Sequence, residues 1–299
     1  MRMAIVGLGK MGSGMRERLR VGGHEVVGFD NSGDSSDAGT LAEAVDMLGA
    51  GPKAVWVMVP AGRATHAVIV ELVALLGPGD LVVDGGNSRF TDDRTHASLL
   101  AERGIGYLDC GVSGGIRGQH EGYALMVGGE SVYVERLMPI FDSLRPPGVR
   151  ENSFVHAGPV GSGHYAKMVH NGIEYGLMHA YAEGFELLAA EHSIADPAAV
   201  MKAWTCGTVV RSWLLDLLVS ALAASPDLAE VSGYTEDSGE GRWTVEEAIA
   251  HAVPVPVISA ALFARFSSRQ DDSPAMKAVA ALRQQFGGHT VQLALPASR

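Results

Sequence analysis

Five residues in one short stretch, "YAKMVHNGIEYG" (165–176), are of types that could do acid–base chemistry together: Lys167, His170, Asn171, Glu174 and Tyr175. In an α-helix, residues three and four apart share a face. Lys167, His170, Asn171 and Glu174 stand at i, i+3, i+4 and i+7, so a helix here carries them as one polar stripe with Tyr175 beside it. Met168, Val169, Ile173 and Leu177 cover the other sides. A solvated outer face would suit the lysine and the glutamate. It suits an Asn-Gly pair and a tyrosine less well, in a segment otherwise full of Met, Gly and Ala. The stripe is therefore expected to line a cleft. A lysine becomes a general base when burial or a nearby cation, such as an oxidised nicotinamide, lowers its pKa toward the working pH. A carboxylate two turns further on can return a proton later.

Such a helix needs other elements to bring reactants to it. "GLGKMG" is a G-x-G-x-x-G motif at Gly7, Gly9 and Gly12, after the strand-like "MAIVGL" and opening the helical "KMGSGMRERLRVGG". The glycines allow a tight turn, close approach to a pyrophosphate, and close helix–strand packing. The helix N-terminus favours the phosphates. Alone, the motif could be a turn chosen for packing. Here Asp30 ends the next strand, "HEVVGFD", where an acid can hydrogen-bond a ribose 2′-OH. A carboxylate repels a 2′-phosphate, and "NSGD" after it has no arginine, so NAD is favoured over NADP. "DGGNS" (84–88) and "GVSGGIRG" (111–118) each follow a strand. Asn87 then sits at the carboxyl edge of a sheet, and Ser113-Gly114-Gly115 could offer a hydroxyl and backbone N–H groups to an anion. Either loop, taken singly, could be a plain turn.

The strands "AVWVMVP", "DLVVDGGN", "GYLDCGV", "YALMVGG" and "SFVHAG" alternate with helical stretches, which implies crossovers and a mostly parallel, doubly wound Rossmann-type sheet. Beyond about residue 159 the pattern turns helical. The fold class is α/β, with a dinucleotide-binding domain over 1–158 and an all-helical substrate and oligomerisation domain over 159–299. Asp196 followed by Pro197 marks one helix start.

The 299 residues, 47% hydrophobic and 19% charged, suit a globular protein of two domains. The net charge of −11 argues against nucleic acid as a partner. It does not exclude a small anionic substrate, because a few local arginines can dominate one cleft. Cys110 and Cys206 lie outside any metal-ligand spacing and each reads as a small buried hydrophobe rather than a reactive thiol, in a reduced, cytoplasmic setting; no metal is expected. The N-terminus lacks the form of a signal peptide, and no apolar run is long enough for a membrane span.

"GLGKMG", "DGGNS", "GVSGG", "KMVHNGIEYG", "GRWT", "LFARFSSR" and "RQQFGGH" occur in that order along nearly the whole chain. The series resembles the 6-phosphogluconate dehydrogenases, and the length resembles their short, NAD-preferring branch. The resemblance implies oxidation of the substrate's C3 hydroxyl by hydride transfer to NAD, loss of its carboxylate as CO2, and ribulose 5-phosphate as product, in the pentose phosphate route and gluconate use. It implies 6-phosphogluconate bound between the domains and no metal. Lys167 is then the base and Glu174 the acid that protonates the enediol. Asn87, Ser113, Gly114, Gly115, His170 and Asn171 match sugar-acid ligands, and Tyr175 and Arg265 match phosphate ligands. Arg283 and His289 match a tail that reaches a neighbouring subunit's site, implying a homo-oligomer, dimer or tetramer, with shared active sites. Gly7, Gly9, Lys10, Met11, Gly12, Asp30, Val59, Pro60 and Asn87 match the cofactor site. The long form carries a lysine and a threonine before its "GKW"; here "DSGEGRWT" puts Ser238 and Glu240 there, which leaves one phosphate contact open, with Arg242 a weak substitute. Two rivals remain at this point. A 3-hydroxyisobutyrate-type dehydrogenase would share the nucleotide fold, the "GxSGG" loop and the lysine, but not "HNGIEY" or "FGGH". A non-catalytic NAD(H) sensor would not need the Lys167/Glu174 pair.

Overall fold

The structure is a computed structural model and describes residues 1–33, 35–287 and 290–292. Among the described residues, seven strands form one sheet: β1 (Arg2–Val6), β2 (Glu25–Phe29), β3 (Ala54–Val57), β4 (Leu81–Asp84), β5 (Gly106–Ser113), β6 (Ala124–Gly129) and β7 (Phe154–Gly158). Their order is β2-β1-β3-β4-β5-β6-β7. All pairs are parallel except β5 with β6. The sequence implies the mostly parallel sheet but not the reversal of β6 and β7, which run together against β1–β5.

The helices of this half are α1 (Lys10–Val21), α2 (Leu41–Asp46), α3 (Arg63–Leu75), α4 (Phe90–Ala101), α5 (Gly118–Glu121) and α6 (Ser131–Leu144). β3 and β4 are buried throughout, as expected for strands covered on both faces. Met3, Ile5, Trp56 and Val83 pack toward α1 and α6 with Met15, Leu19 and Phe141. Ala4, Val6, Val55 and Val57 pack on the other face with Leu41, Ile69 and Leu72. α1 stops at Gly22, and Gly23 takes a φ of +82°. Arg18 and Arg20 sit in its last turn, where the helix dipole favours cations.

α7 (Ser162–Ala190) follows β7 and is the longest helix among the described residues. Next come α8 (Pro197–Trp204), α9 (Trp213–Ala224), α10 (Glu240–Ala250), α11 (Pro256–Ser267) and α12 (Pro274–Gly287). Asp196 caps α8 by accepting from Ala199 N, with Pro197 behind it, as the sequence suggested. The chain forms two compact units, Met1–Gly172 and Ile173–Arg299, so the first turns of α7 belong to the sheet unit. No helix among the described residues is long and apolar enough to cross a membrane.

Candidate active site

In the first unit the glycine loop joins β1 to α1, where the strand order switches from β2-β1 to β1-β3. Each glycine has its own reason. Gly7 sits at φ +95°, and a Cβ there would lie 2.6 Å from Met58 O. A Cβ on Gly12 would lie 1.9 Å from Gly7 O, so α1 starts directly on the turn. Gly9, the N-cap, faces open space and α1 has no side-chain cap. An uncapped helix start with room in front of it fits a dinucleotide pyrophosphate. Lys10 and Pro60 are exposed here, while Met11 and Val59 are half-buried.

Asp30 accepts hydrogen bonds from Leu8 N at 2.7 Å and Ser32 N at 2.9 Å. Those two backbone donors, Ser32 first, hold its carboxyl below the usual range, so it is charged at neutral pH. It lines a hollow with Phe29, Asn31, Gly33, Ser36 and Asp37. Asp37, a second carboxylate the sequence reading missed, accepts from Gly28 N at 2.7 Å and Arg20 at 2.5 Å, with Arg16 at 3.6 Å. Arginines do approach this hollow, from α1 rather than from "NSGD". Both are engaged: Arg16 also donates to Ser35 O at 2.6 Å.

At the carboxyl edge of the sheet, α7 meets the loops after β4 and β5. Lys167 and Asn171 are only 9% and 8% exposed, which rules out a solvated outer face, while His170 is exposed. A network ties the residues together. Lys167 Nζ lies 3.3 Å from His170 Nδ1, which lies 3.1 Å from Asn171 Oδ1. Asn171 Nδ2 donates to Asn87 Oδ1 at 3.3 Å, and Ser113 Oγ lies 3.3 Å from His170 Nε2. An ammonium Lys167 donates to the imidazole; a neutral amine accepts from it. Asn171 Oδ1 can only accept, so an ammonium Lys167 competes with that bond for Nδ1, whereas a neutral amine shares the Nδ1 proton with it. Gly114 and Gly115 take φ of +153° and +55° beside Ser113.

Beneath this network lies a buried cluster that sequence reasoning missed. Asp109 Oδ1 accepts from Gly161 N at 2.7 Å, and its Oδ2 from His164 N at 2.9 Å. His164 Nδ1 lies 2.9 Å from both oxygens of Asp93, which also accepts from Tyr107 Oη at 2.8 Å. Burial alone would lower His164, but Asp93 beside it raises it to about 9. Burial pushes Asp93 up to about 6, against the pull of His164. Between those values the two form an ion pair. Asp84, Asp93 and His164 bring ligand-type atoms within 4.8 Å of one another, but the His164 Nδ1 contact to Asp93 marks this group as a salt bridge with a neighbouring carboxylate.

In the second unit, Tyr175 packs with Ala261 and Leu262, its ring against Gly241, where a Cβ would lie 2.5 Å away. The Arg265 guanidinium stacks 3.4 Å from the centre of that ring and donates to Glu236 O at 3.1 Å. The Tyr175 hydroxyl is buried with no partner at hydrogen-bond geometry, although Ser238 lies near enough to affect its pKa. Burial raises that hydroxyl above the usual tyrosine range, with Arg265 opposing, so it is a neutral donor. Ser238 donates to the buried Glu240 at 2.8 Å. Arg242, the weak substitute the sequence offers beside Ser238, is engaged by Asp237 at 2.8 and 3.1 Å. Glu174 is half-buried, Arg283 is exposed on α12, and His289 lies outside the described residues.

Residues 2–146 match the family model described as the NAD binding domain of 6-phosphogluconate dehydrogenase, and 163–294 match that of its C-terminal domain. An NAD(+)-dependent, decarboxylating 6-phosphogluconate dehydrogenase of Haloferax volcanii is 43% identical over 97% of this chain and 98% of its own length. A solved 6-phosphogluconate dehydrogenase of Plasmodium falciparum, studied with NADP+ and with 6-phosphogluconate, aligns with a TM-score of 0.78 at 25% identity. It covers 100% of this chain and 67% of the other. A 3-hydroxyisobutyrate dehydrogenase of Mycobacterium tuberculosis, solved with L-serine, shares the fold, with a TM-score of 0.69 at 24% identity over 94% of this chain and 99% of the other. With both halves matched and a relative alike from end to end, the chain belongs to the 6-phosphogluconate dehydrogenase family of enzymes.

Proposed function

We propose that the protein oxidises 6-phosphogluconate at C3 and releases its carboxylate as CO2, leaving ribulose 5-phosphate. The observation that carries this reading is the buried Lys167 amine, 3.3 Å from His170 in a network that also includes Asn171, Asn87 and Ser113. Bound at the glycine loop and Asp30, NAD supplies the hydride acceptor. Lys167 takes the C3 hydroxyl proton as the hydride leaves that carbon. The resulting ammonium then donates to the C3 oxygen while the C1–C2 bond breaks, its electron pair forming the enediol. Glu174 protonates the carbon that lost CO2, which becomes C1 of the product. Asn87, Ser113, Gly114, Gly115, His170 and Asn171 hold the sugar acid. Tyr175, with its unpartnered hydroxyl, and the Arg265 fork take the phosphate.

The functional division falls near residue 158, with 1–158 for the cofactor and 159–299 for substrate and assembly. Arg283 and His289 serve the site of a second copy in a cytoplasmic homo-oligomer. The substrate assignment is tested by following NADH with 6-phosphogluconate, 3-hydroxyisobutyrate and L-serine in turn. Turnover with 6-phosphogluconate alone is expected. Turnover only with a 3-hydroxyacid would move the chain to the 3-hydroxyisobutyrate type, and none at all would make it a sensor.

NAD is the preferred cofactor in this reading. Asp30 is charged and the arginines near it are engaged by Asp37 and Ser35. Catalytic efficiency should be higher with NAD than with NADP, and Asp30→Ala should narrow the gap without closing it, because Asp37 remains. Equal efficiency of the wild type with both cofactors would contradict this.

A further inference from the structure

The first turn of α7 is fastened to the sheet unit in an unusual way. Helix N-termini are commonly capped by their own preceding residue. Here the cap comes from 52 and 55 residues away: both oxygens of the fully buried Asp109 accept from Gly161 N and His164 N. The His164 ring is then fixed by Asp93 of α4, itself held by Tyr107 of β5. The backbones touch as well. A Cβ on Gly163 would lie 2.3 Å from Met126 O of β6. A Cβ on Gly111 would lie 2.4 Å from the Cβ of Lys167 itself. Lys167 stands one turn after His164 and its Cβ is packed against Gly111, so a shift of that first turn moves the root of the side chain that carries the amine.

Stability is a poor reason for such a cluster. A buried ion pair adds little net stability over well-packed apolar residues, because desolvation offsets the attraction. It does favour one geometry, because the His164 Nδ1 bonds to both Asp93 oxygens are made only when the ring stands against α4. General-base catalysis is sensitive to that geometry, and misplacing a reacting group by about 1 Å can cost about 10²-fold.

We propose that His164, held by Asp93 and Asp109, is a positioning residue for Lys167, fixing the first turn of α7 on β5 so that the amine meets the substrate hydroxyl. This rests on Lys167 being the base. The test compares His164→Leu with His164→Asn, whose amide can still donate to Asp93 from near the Nδ1 position. kcat, both KM values and the melting temperature are measured for each. His164→Leu should lower kcat by about 10- to 100-fold, while the KM for NAD stays within about twofold because the glycine loop is untouched. His164→Asn should restore most of the lost kcat. A lower melting temperature with wild-type kcat per folded molecule, or an asparagine variant no better than leucine, would overturn the proposal. If His164→Leu does not fold, Asp109→Asn is the second probe. It keeps the side chain's shape and removes its charge. The same selective fall in kcat is expected, and an unchanged kcat overturns the proposal. Lys167→Met is assayed alongside. If that variant is active, the base assignment has failed; if it is dead while His164→Leu keeps its kcat, only the positioning role has failed.

Discussion

Lys167→Met should lower kcat by about 10²–10⁴-fold, the usual cost of losing a general base. That corresponds to roughly 3–5 kcal/mol of barrier. Methionine keeps most of the buried stem, so packing against β5 should survive. NAD binding, measured by titration, should be unchanged, because the glycine loop and Asp30 make no use of this side chain. A variant with wild-type turnover would reduce Lys167 to a buried cation without a role in the reaction. Glu174→Gln belongs to the same test at the opposite end of the mechanism. It should slow formation of ribulose 5-phosphate more than it weakens substrate binding, and an unchanged rate would remove Glu174 from the proton path.

The second large effect is expected at the phosphate. Arg265→Ala removes a guanidinium stacked on Tyr175, and Arg283→Ala removes an exposed one on α12. A hydrogen bond to a charged group contributes about 1.5–3 kcal/mol, so each variant should raise the KM for 6-phosphogluconate about 10- to 100-fold and leave that for NAD alone. The two arginines should differ in whose site they serve. When Lys167→Met and Arg283→Ala proteins are mixed under subunit exchange, random pairing in a dimer gives about a quarter of the sites both intact residues. Activity at low substrate should therefore rise above that of either protein alone. Mixing Lys167→Met with Arg265→Ala should give no such rise if both residues serve their own chain's site. No recovery with Arg283→Ala despite proven exchange would mean that Arg283 acts in its own chain or not at all.

Local signals made most of the fold legible. Strand-helix alternation predicts the parallel sheet, the glycine motif marks the turn after β1, and the 3.6-residue period gathers Lys167, His170 and Asn171 on one stripe. The cleft-lining place of Lys167 and Asn171 was legible from the company they keep, an Asn-Gly pair and a tyrosine in an apolar segment, while the exposure of His170 on the same stripe was not. What stayed hidden depends on partners far apart in the chain. The reversed β6 and β7 have no signature in their own residues, since direction is set by what pairs with them. Asp109 reads as one acid in a strand and His164 as one more polar helix residue. Only the fold brings them to Asp93. The sign of a charge was visible at Arg242, but not that Asp237 engages it. Asp37 was overlooked for the same reason, because its arginines come from α1.

In the proposed reaction, hydride transfer and decarboxylation occur on one substrate in one site. This is tested most directly by supplying 6-phosphogluconate carrying ¹³C in its carboxylate, with NAD, and measuring labelled CO2 and NADH together. Equal amounts of labelled CO2 and NADH, with ribulose 5-phosphate as the only sugar product, are predicted. NADH without labelled CO2, or no NADH from this substrate at all, would contradict the account.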